Sequence, residues 1–186
     1  MGLLVCGGNG SGKSTLGRAL AEALRVRFLD SEALYFPEGQ DDNPFAAPRT
    51  EAEFLAVLEA ETREPDFVFA SVKGNCGPEI RKRFSLAVWI DVPRKIRLSR
   101  VRERSFRRFG ARMLPGGDLY EMEERFFARV AARSDEEMCA WVERLACPVL
   151  RVDGTRPVQD LVQETLRWVS DQTKEEGDIR AEHHDQ

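Results

Sequence analysis

Short apolar runs alternate along the chain with longer segments in which apolar residues recur every three or four positions. The runs are rich in β-branched and aromatic residues and most end in glycine or a polar turn, which is typical of buried strands. They predict five strands, at 2–6, 27–30, 66–72, 86–92 and 148–154. The longer segments predict helices at 13–25, 50–64, 93–109, 118–134, 135–146 and 156–172.

Strands that alternate with helices predict an α/β fold in which a parallel five-stranded sheet lies between two helical layers. We expect one domain over residues 1–172 with two irregular segments. A substrate-side insertion is expected at about 31–64, with a proline-rich loop at 35–49, and a basic, then glycine-rich lid at about 104–118. The polar residues 173–186 predict a disordered tail.

The composition of the chain limits the classes of partner that we expect it to bind. The 186 residues carry a formal net charge of −4, so no overall cationic field favours nucleic acid or an anionic membrane. The four cysteines lack metal-ligand spacing, and no signal segment or membrane span is recognisable. We therefore expect a cytoplasmic protein, a monomer or homodimer, with reduced cysteines and no membrane or nucleic-acid partner.

The stretch "GGNGSGKST" at 7–15 follows the first strand, opens the first helix and satisfies GxxxxGK[ST]. Its glycines let successive backbone N–H groups turn inward around phosphate, and the helix N-terminus adds partial positive charge. Lys13 would neutralise the outer phosphates, and the Ser14 hydroxyl can ligate Mg²⁺. We predict a nucleoside triphosphate site at Gly8, Asn9, Gly10, Ser11, Gly12, Lys13, Ser14 and Thr15.

This motif leaves the phosphoryl acceptor open, because water, a small-molecule hydroxyl, a nucleotide phosphate and a conformational switch are all compatible with it. Three hypotheses follow. The first is a small-molecule kinase, the second a nucleoside or nucleotide kinase, and the third a regulatory ATPase stimulated by a macromolecular partner.

The chain's size and its early P-loop resemble the group of shikimate kinases, gluconate kinases and nucleoside monophosphate kinases. The resemblance implies a P-loop NTPase fold with a lid, ATP and Mg²⁺ as cofactors, and a small-molecule acceptor. "FLDSEALYF" at 28–36 resembles the shikimate-kinase segment in which an Asp-Ser-Asp triplet ends the second strand. It implies that Asp30 lies near Mg²⁺ and the reacting hydroxyl, and that Glu32 binds substrate in place of a shorter acid.

"ASVKGNCG" at 70–77 resembles the Ser-Ala-Leu-Lys run of gluconate kinases at Ser71 and Lys73. Strand ends of an open parallel sheet face the ligand crevice, so Lys73 could pair with an anionic substrate group. An ordinary solvated lysine is the alternative. The strand lacks the acid expected of a Walker B motif, which gives Asp30 more weight as a metal-side carboxylate.

Seven arginines lie between residues 94 and 108. Arg100 and Arg104, one helical turn apart, resemble the lid entry of adenylate-type kinases. The resemblance implies that Arg100 lies over the adenine and that Arg104 reaches the transferring phosphate. "FGARMLPGGDLYEMEERF" at 109–126 resembles the lid and substrate-contacting stretch of gluconate kinases, which implies that Arg112 is a lid residue that binds substrate. A solvated basic face, or one that binds an anionic partner, is the alternative.

"DGTRP" at 153–157 resembles the turn that lies along the adenine in this kinase group. The resemblance implies nucleotide contacts from Gly154, Thr155 and Pro157. A simple strand-to-helix turn is the alternative.

Overall fold

The computed structural model describes residues 1–36, 48–73 and 76–182, with side chains through residue 174. Five apolar runs form β1 to β5, all parallel, in the order β2-β3-β1-β4-β5. The strands are Gly2–Cys6, Arg27–Asp30, Phe67–Ser71, Leu86–Asp91 and Val149–Asp153. Each lies within one residue of its predicted bounds, because β1, β3 and β4 are buried on both faces and read as continuous apolar runs.

In the part of the chain that the structure describes, eight α-helices connect or follow the strands. In chain order, α1 to α8 are Lys13–Leu24, Ser31–Tyr35, Glu51–Glu61, Gly77–Arg81, Arg94–Phe109, Tyr120–Ala132, Asp135–Val142 and Val158–Glu182. A 3₁₀ turn at Gly110–Met113 separates α5 from α6. The helix start predicted at Thr50 is confirmed, since its hydroxyl accepts from the Glu53 amide and the Glu53 carboxylate accepts from the Thr50 amide.

Two hydrophobic layers hold the sheet between helices. On one face, α1 and α8 bury Leu20 and Leu161 against Val5 and Val88. The opposite face packs against α3, α4 and α7. A smaller cluster of Val101, Met113, Phe127 and Val130 joins α5 to the lid turn and α6. The predicted α/β fold with a parallel five-stranded sheet is therefore confirmed.

Several features differ from the sequence expectation. The short helices α2 and α4 were not predicted, because five residues are too few to show a helical period. Helix α8 continues through residues 173–182, where a disordered tail is predicted. Extending a packed helix needs no new nucleus, so each added residue costs little even in a polar sequence. Most of the loop predicted at 35–49, and residues 183–186, lie outside the described residues.

Candidate active site

The loop between β1 and α1 is shaped by glycines that no other residue could replace without strain. Gly10 and Gly12 have φ of 81° and 99°, in the left-handed region. The Ser11 amide donates to the Gly8 carbonyl at 3.1 Å, and Gly12 caps α1. The loop thus wraps the helix N-terminus, as the motif predicts.

Lys13 folds back over this loop, with its Nζ donating to the Gly8 carbonyl at 3.1 Å. Burial lowers the pKa of its amine to about 8, although the nearby Glu32 and Asp30 carboxylates act in the opposite direction. Arg104 adds to the lowering. A bound phosphate would supply the counter-charge that the ammonium lacks here.

The two acids of "FLDSEALYF" lie beside this lysine. Asp30 ends β2, and its carboxylate accepts from the Glu32 amide at 2.9 Å, which caps α2. The Glu32 carboxylate lies 3.9 Å from the Arg104 guanidinium of α5. Residues from three distant parts of the chain therefore meet at the N-terminus of α1. We call Lys13, Asp30, Glu32 and Arg104 the charge cluster.

The turn after β5 closes against the loop and against α5. Arg100 donates from Nη1 to the Gly154 carbonyl at 3.0 Å, so α5 and this turn are joined directly. A side chain at Gly154 would lie 2.4 Å from Ile90 Cγ2, which explains the glycine. Thr155 is held by the Asp153 carboxylate, which accepts from its amide at 2.9 Å. Pro157 directly precedes α8.

A cleft of about 470 Å³ adjoins this turn, lined by Asp91, Pro93, Arg151, Val152, Asp153 and Thr155. Its lining does not include the glycine loop, and it meets the predicted adenine turn at Asp153 and Thr155.

The three remaining predicted substrate residues have partners of their own. Ser71 is buried, and its hydroxyl donates to the Lys73 carbonyl at 2.6 Å. The Lys73 ammonium lies 3.3 Å from the Glu137 carboxylate of α7. Arg112 binds the Asp118 carboxylate through two nitrogens, at 3.0 and 2.7 Å, and this lowers the pKa of Asp118.

The donor set near the loop fits Mg²⁺. Ser14 lies half-buried in the first turn of α1, and the Asp30 carboxylate lies at the adjacent strand end. Two protein oxygens suit Mg²⁺, which usually completes its shell with phosphate oxygens and water. Within the described ranges, no group of three or more His, Cys, Asp or Glu residues could hold a metal by itself.

Arg97 also belongs to the site, although the sequence predicted it only as one of the arginines of a basic face. Its side chain is 7% exposed, its Nε donates to the Val92 carbonyl at 2.9 Å, and its guanidinium pairs with Asp135 of α7. Side chains added to Gly8 and Gly10 would collide with the Arg97 guanidinium and carbonyl. Arg97 therefore braces the loop. The stripe of Arg97, Val101 and Ser105, spaced by four along α5, could have indicated its burial.

A second arginine reaches the loop from the α6–α7 junction, where Arg133 donates to the Asn9 side-chain carbonyl. At least four of the seven arginines between 94 and 108 contact elements other than α5. They are Arg97, Arg100, Arg102 and Arg104. The basic segment is therefore largely used within the fold.

The family model for shikimate kinase matches residues 9–129, well over half of the chain. The protein belongs to the shikimate kinase family. The predicted group of P-loop small-molecule kinases is thereby confirmed, and the match spans the glycine loop from Asn9 onward, the charge cluster and the lid.

The chain is also similar to one curated relative and, in fold, to several solved structures. The chain is 30% identical over 175 residues to the uncharacterized protein YqaC of Bacillus subtilis, covering 89% of this chain and 96% of YqaC. It is similar in fold to shikimate kinase from Acinetobacter baumannii in complex with shikimate, with a TM-score of 0.57, 22% identity and coverage of 92% and 93%. A gluconokinase from Sinorhizobium meliloti 1021 gives a TM-score of 0.54, 19% identity and 94% coverage of each chain.

No helix of the described residues has the length and apolar character needed to cross a bilayer.

Proposed function

We propose that the protein is an ATP- and Mg²⁺-dependent phosphotransferase that moves the γ-phosphoryl group of ATP to a hydroxyl of a small metabolite. The observation that carries the proposal is the charge cluster at the N-terminus of α1. Two cations suit the transferring phosphate and two carboxylates suit an acceptor hydroxyl and a metal. Membership of the shikimate kinase family supports the same reaction class.

On the donor side, the amides of Gly8 to Thr15 would cradle the phosphates, and Lys13 would neutralise their outer charge. Ser14 and Asp30 would hold Mg²⁺, which when bound supplies further neutralisation of the phosphate oxygens. Arg104 would leave Glu32 for the transferring phosphoryl group and stabilise its charge. Arg100, Gly154, Thr155 and Pro157 would hold the adenine end.

On the acceptor side, Asp30 would orient or deprotonate the hydroxyl. Because the transition state for phosphoryl transfer is loose, positioning and electrostatics should contribute more than the base. Glu32, Ser71, Lys73 and Arg112 are the proposed substrate-side residues. A partner-stimulated ATPase is less well supported, since most of the basic segment is already engaged within the protein.

Acceptor-stimulated ADP release from ATP and Mg²⁺ tests the proposal, measured across sugars, sugar acids, cyclitols and nucleosides. Lys13→Met should lower turnover by roughly 10²-fold or more, because it removes a preorganised charge at the phosphate. Asp30→Asn should lower turnover by about 10²-fold with ATP affinity nearly unchanged. Asparagine caps a helix as well as aspartate does, so α2 should persist.

Asp66→Asn is the matched control. Asp66 lies at the opposite end of the sheet, where it binds the N-terminal ammonium of Met1. Its replacement should leave turnover unchanged. Wild-type turnover in Asp30→Asn would disprove the acceptor role of Asp30, and ADP release indifferent to every acceptor would disprove the kinase function.

A further inference from the structure

Glu32 and Arg104 form an ion pair that joins the acceptor side of the charge cluster to its donor side. The Arg104 guanidinium lies 3.9 Å from the Glu32 carboxylate, and both side chains are about half exposed. In the proposed function Arg104 acts on the transferring phosphoryl group, so this pair must open during the reaction. The event that opens the pair therefore decides when Arg104 becomes available to phosphate.

The backbone on both sides of the pair is held by other contacts, so the pair opens most readily through its side chains. The Glu32 amide donates to the Asp30 carboxylate at 2.9 Å, which holds the first turn of α2 to the end of β2. One turn before Arg104, the Arg100 guanidinium donates to the Gly154 carbonyl at 3.0 Å. Glu32 therefore does not follow Arg104 to the phosphate, and Arg104 exchanges one anion for the other.

Glu32 is the carboxylate that competes with phosphate for the cations of the cluster. Burial lowers the pKa of the Lys13 amine, and among the nearby charges Glu32 acts most strongly in the opposite direction, ahead of Asp30. In the proposed function Asp30 is a ligand of Mg²⁺, which would neutralise it. Glu32 has no metal to offset its charge, so it would repel the γ-phosphate and hold Arg104 at the same time.

A bound acceptor would remove this competition. The Glu32 side chain is about half exposed, and the acceptor is proposed to lie beside it. Hydroxyl groups donate hydrogen bonds to carboxylate oxygens, and each such bond competes with the guanidinium for the same oxygens. An exposed ion pair is weak, so hydrogen bonds from one ligand suffice to displace it.

We infer that Glu32 makes phosphoryl transfer depend on the acceptor, by holding Arg104 away from the γ-phosphate until an acceptor hydroxyl binds the carboxylate. The inference rests on the proposed function and assigns a regulation to its site. Without an acceptor, Arg104 stays largely on Glu32, and attack by water is slow. In that side reaction the water oxygen bonds to the γ-phosphorus and the bond from that phosphorus to the bridging oxygen of ADP breaks, so that ATP and water give ADP, phosphate and H⁺.

The test measures two quantities in the full chain without an acceptor. They are ADP release from ATP with Mg²⁺, and the affinity for the non-hydrolysable analogue AMPPNP with Mg²⁺, determined by calorimetry. Glu32→Gln should raise kcat for hydrolysis by about three- to fivefold, because the population of Arg104 on the phosphate rises. AMPPNP should bind more tightly by a similar factor, since a repelling charge is removed. Both are measured at about pH 6.5, below the pKa of about 8 of Lys13.

Glu32→Asp is a second variant, with the carboxylate one methylene farther from Arg104, and it should also raise hydrolysis. Glu124→Gln is the matched control. Arg102 belongs to the same helix as Arg104 and pairs with Glu124 at 3.0 Å, and the side chains of the two pairs are similarly exposed. Glu124→Gln should change neither hydrolysis nor AMPPNP affinity. In an Arg104→Gln background, Glu32→Gln should leave kcat for hydrolysis unchanged, because its effect passes through Arg104.

Equal hydrolysis and equal AMPPNP affinity in the wild type and in Glu32→Gln would overturn the inference and leave the proposed kinase function intact. A rise in kcat that persists in the Arg104→Gln background would also overturn it, and would assign the effect to Lys13 or to Arg107 and Arg108 in the last turn of α5. ADP release that no acceptor stimulates would overturn the kinase function and the acceptor dependence together.

Discussion

In the protein without bound nucleotide, Lys13 is buried in a position that disfavours its positive charge. Burial lowers the pKa of its amine from 10.5 to about 8, so a substantial fraction is neutral at mildly alkaline pH. Phosphate beside the amine favours the charged form and raises this pKa again. Nucleotide binding and proton binding at Lys13 are therefore coupled.

ATP binding at about pH 8.5 to 9 should take up a proton, and ATP affinity should fall as the pH rises above about 8. Calorimetric titrations in two buffers with different ionisation enthalpies measure the uptake. Lys13→Met should abolish it. Equal binding enthalpies in both buffers for the wild type would show that Lys13 is fully charged before ATP arrives.

Sequence predicted the residues of the charge cluster but not their contacts. Lys13 follows from the motif, and Asp30, Glu32 and Arg104 from the resemblance, because each stands in a short recognisable pattern. Pairing of Arg104 with Glu32 depends on where the second half of α5 lies relative to α2, and no local pattern encodes that position. Arg97 was missed because an arginine is normally a solvated residue.

At the scale of elements, the glycine loop and the first turns of α5 form one unit. A side chain on Gly10 would lie 2.3 Å from the Arg97 carbonyl, which belongs to helical backbone and cannot yield easily. Gly116 in the lid has a similar left-handed φ of 89°, yet an added side chain there would meet nothing within 4 Å. The two glycines therefore differ in packing and not in backbone conformation.

Gly10→Ala should lower the free energy of unfolding by about 2–4 kcal/mol, through left-handed strain and displacement of α5. Gly116→Ala should cost only the strain, about 1 kcal/mol. Urea denaturation of both variants measures the difference. Equal losses would mean that Arg97 does not press on the loop.

The long elements were predictable because their periods are clear and glycine or proline marks their ends. The five-residue helix α2 was not, since it exists mainly through the cap that Asp30 gives to the Glu32 amide. A residue valued for its chemistry thus also supports the local backbone, and sequence alone did not separate the two roles.

At the scale of the whole molecule, α7 ties distant parts of the chain to the phosphate site. Asp135 pairs with Arg97, and Glu137 pairs with Lys73 at the end of β3. The alternation of strands and helices predicted the sheet, but not these pairs, since they depend on where α7 packs across it. Burial of Met138 and Val142 in the core fixes the position of α7 on the sheet.

Asp135→Asn should lower the free energy of unfolding by about 1–3 kcal/mol, because the guanidinium it leaves behind is 7% exposed. Asp91→Asn removes a comparable pair with Arg151, whose side chain is 64% exposed, and should cost about 0–1 kcal/mol. Chemical denaturation compares them. A loss for Asp135→Asn no larger than that for Asp91→Asn would show that Arg97 needs no partner.

The fixing of Arg97 makes the start of α5 a pivot. Because α5 is one unbroken helix of 16 residues, a swing of its lid end about this point would also have to release the bond from Arg100 to the Gly154 carbonyl. Arg104 lies seven residues farther, about 10 Å along the axis at 1.5 Å per residue. A swing of about 20° would carry its backbone about 3–4 Å while Gly8 and Gly10 stayed in place. That arc is comparable to the 3.9 Å between Arg104 and Glu32, so one small rotation would suffice to exchange a carboxylate for a phosphate.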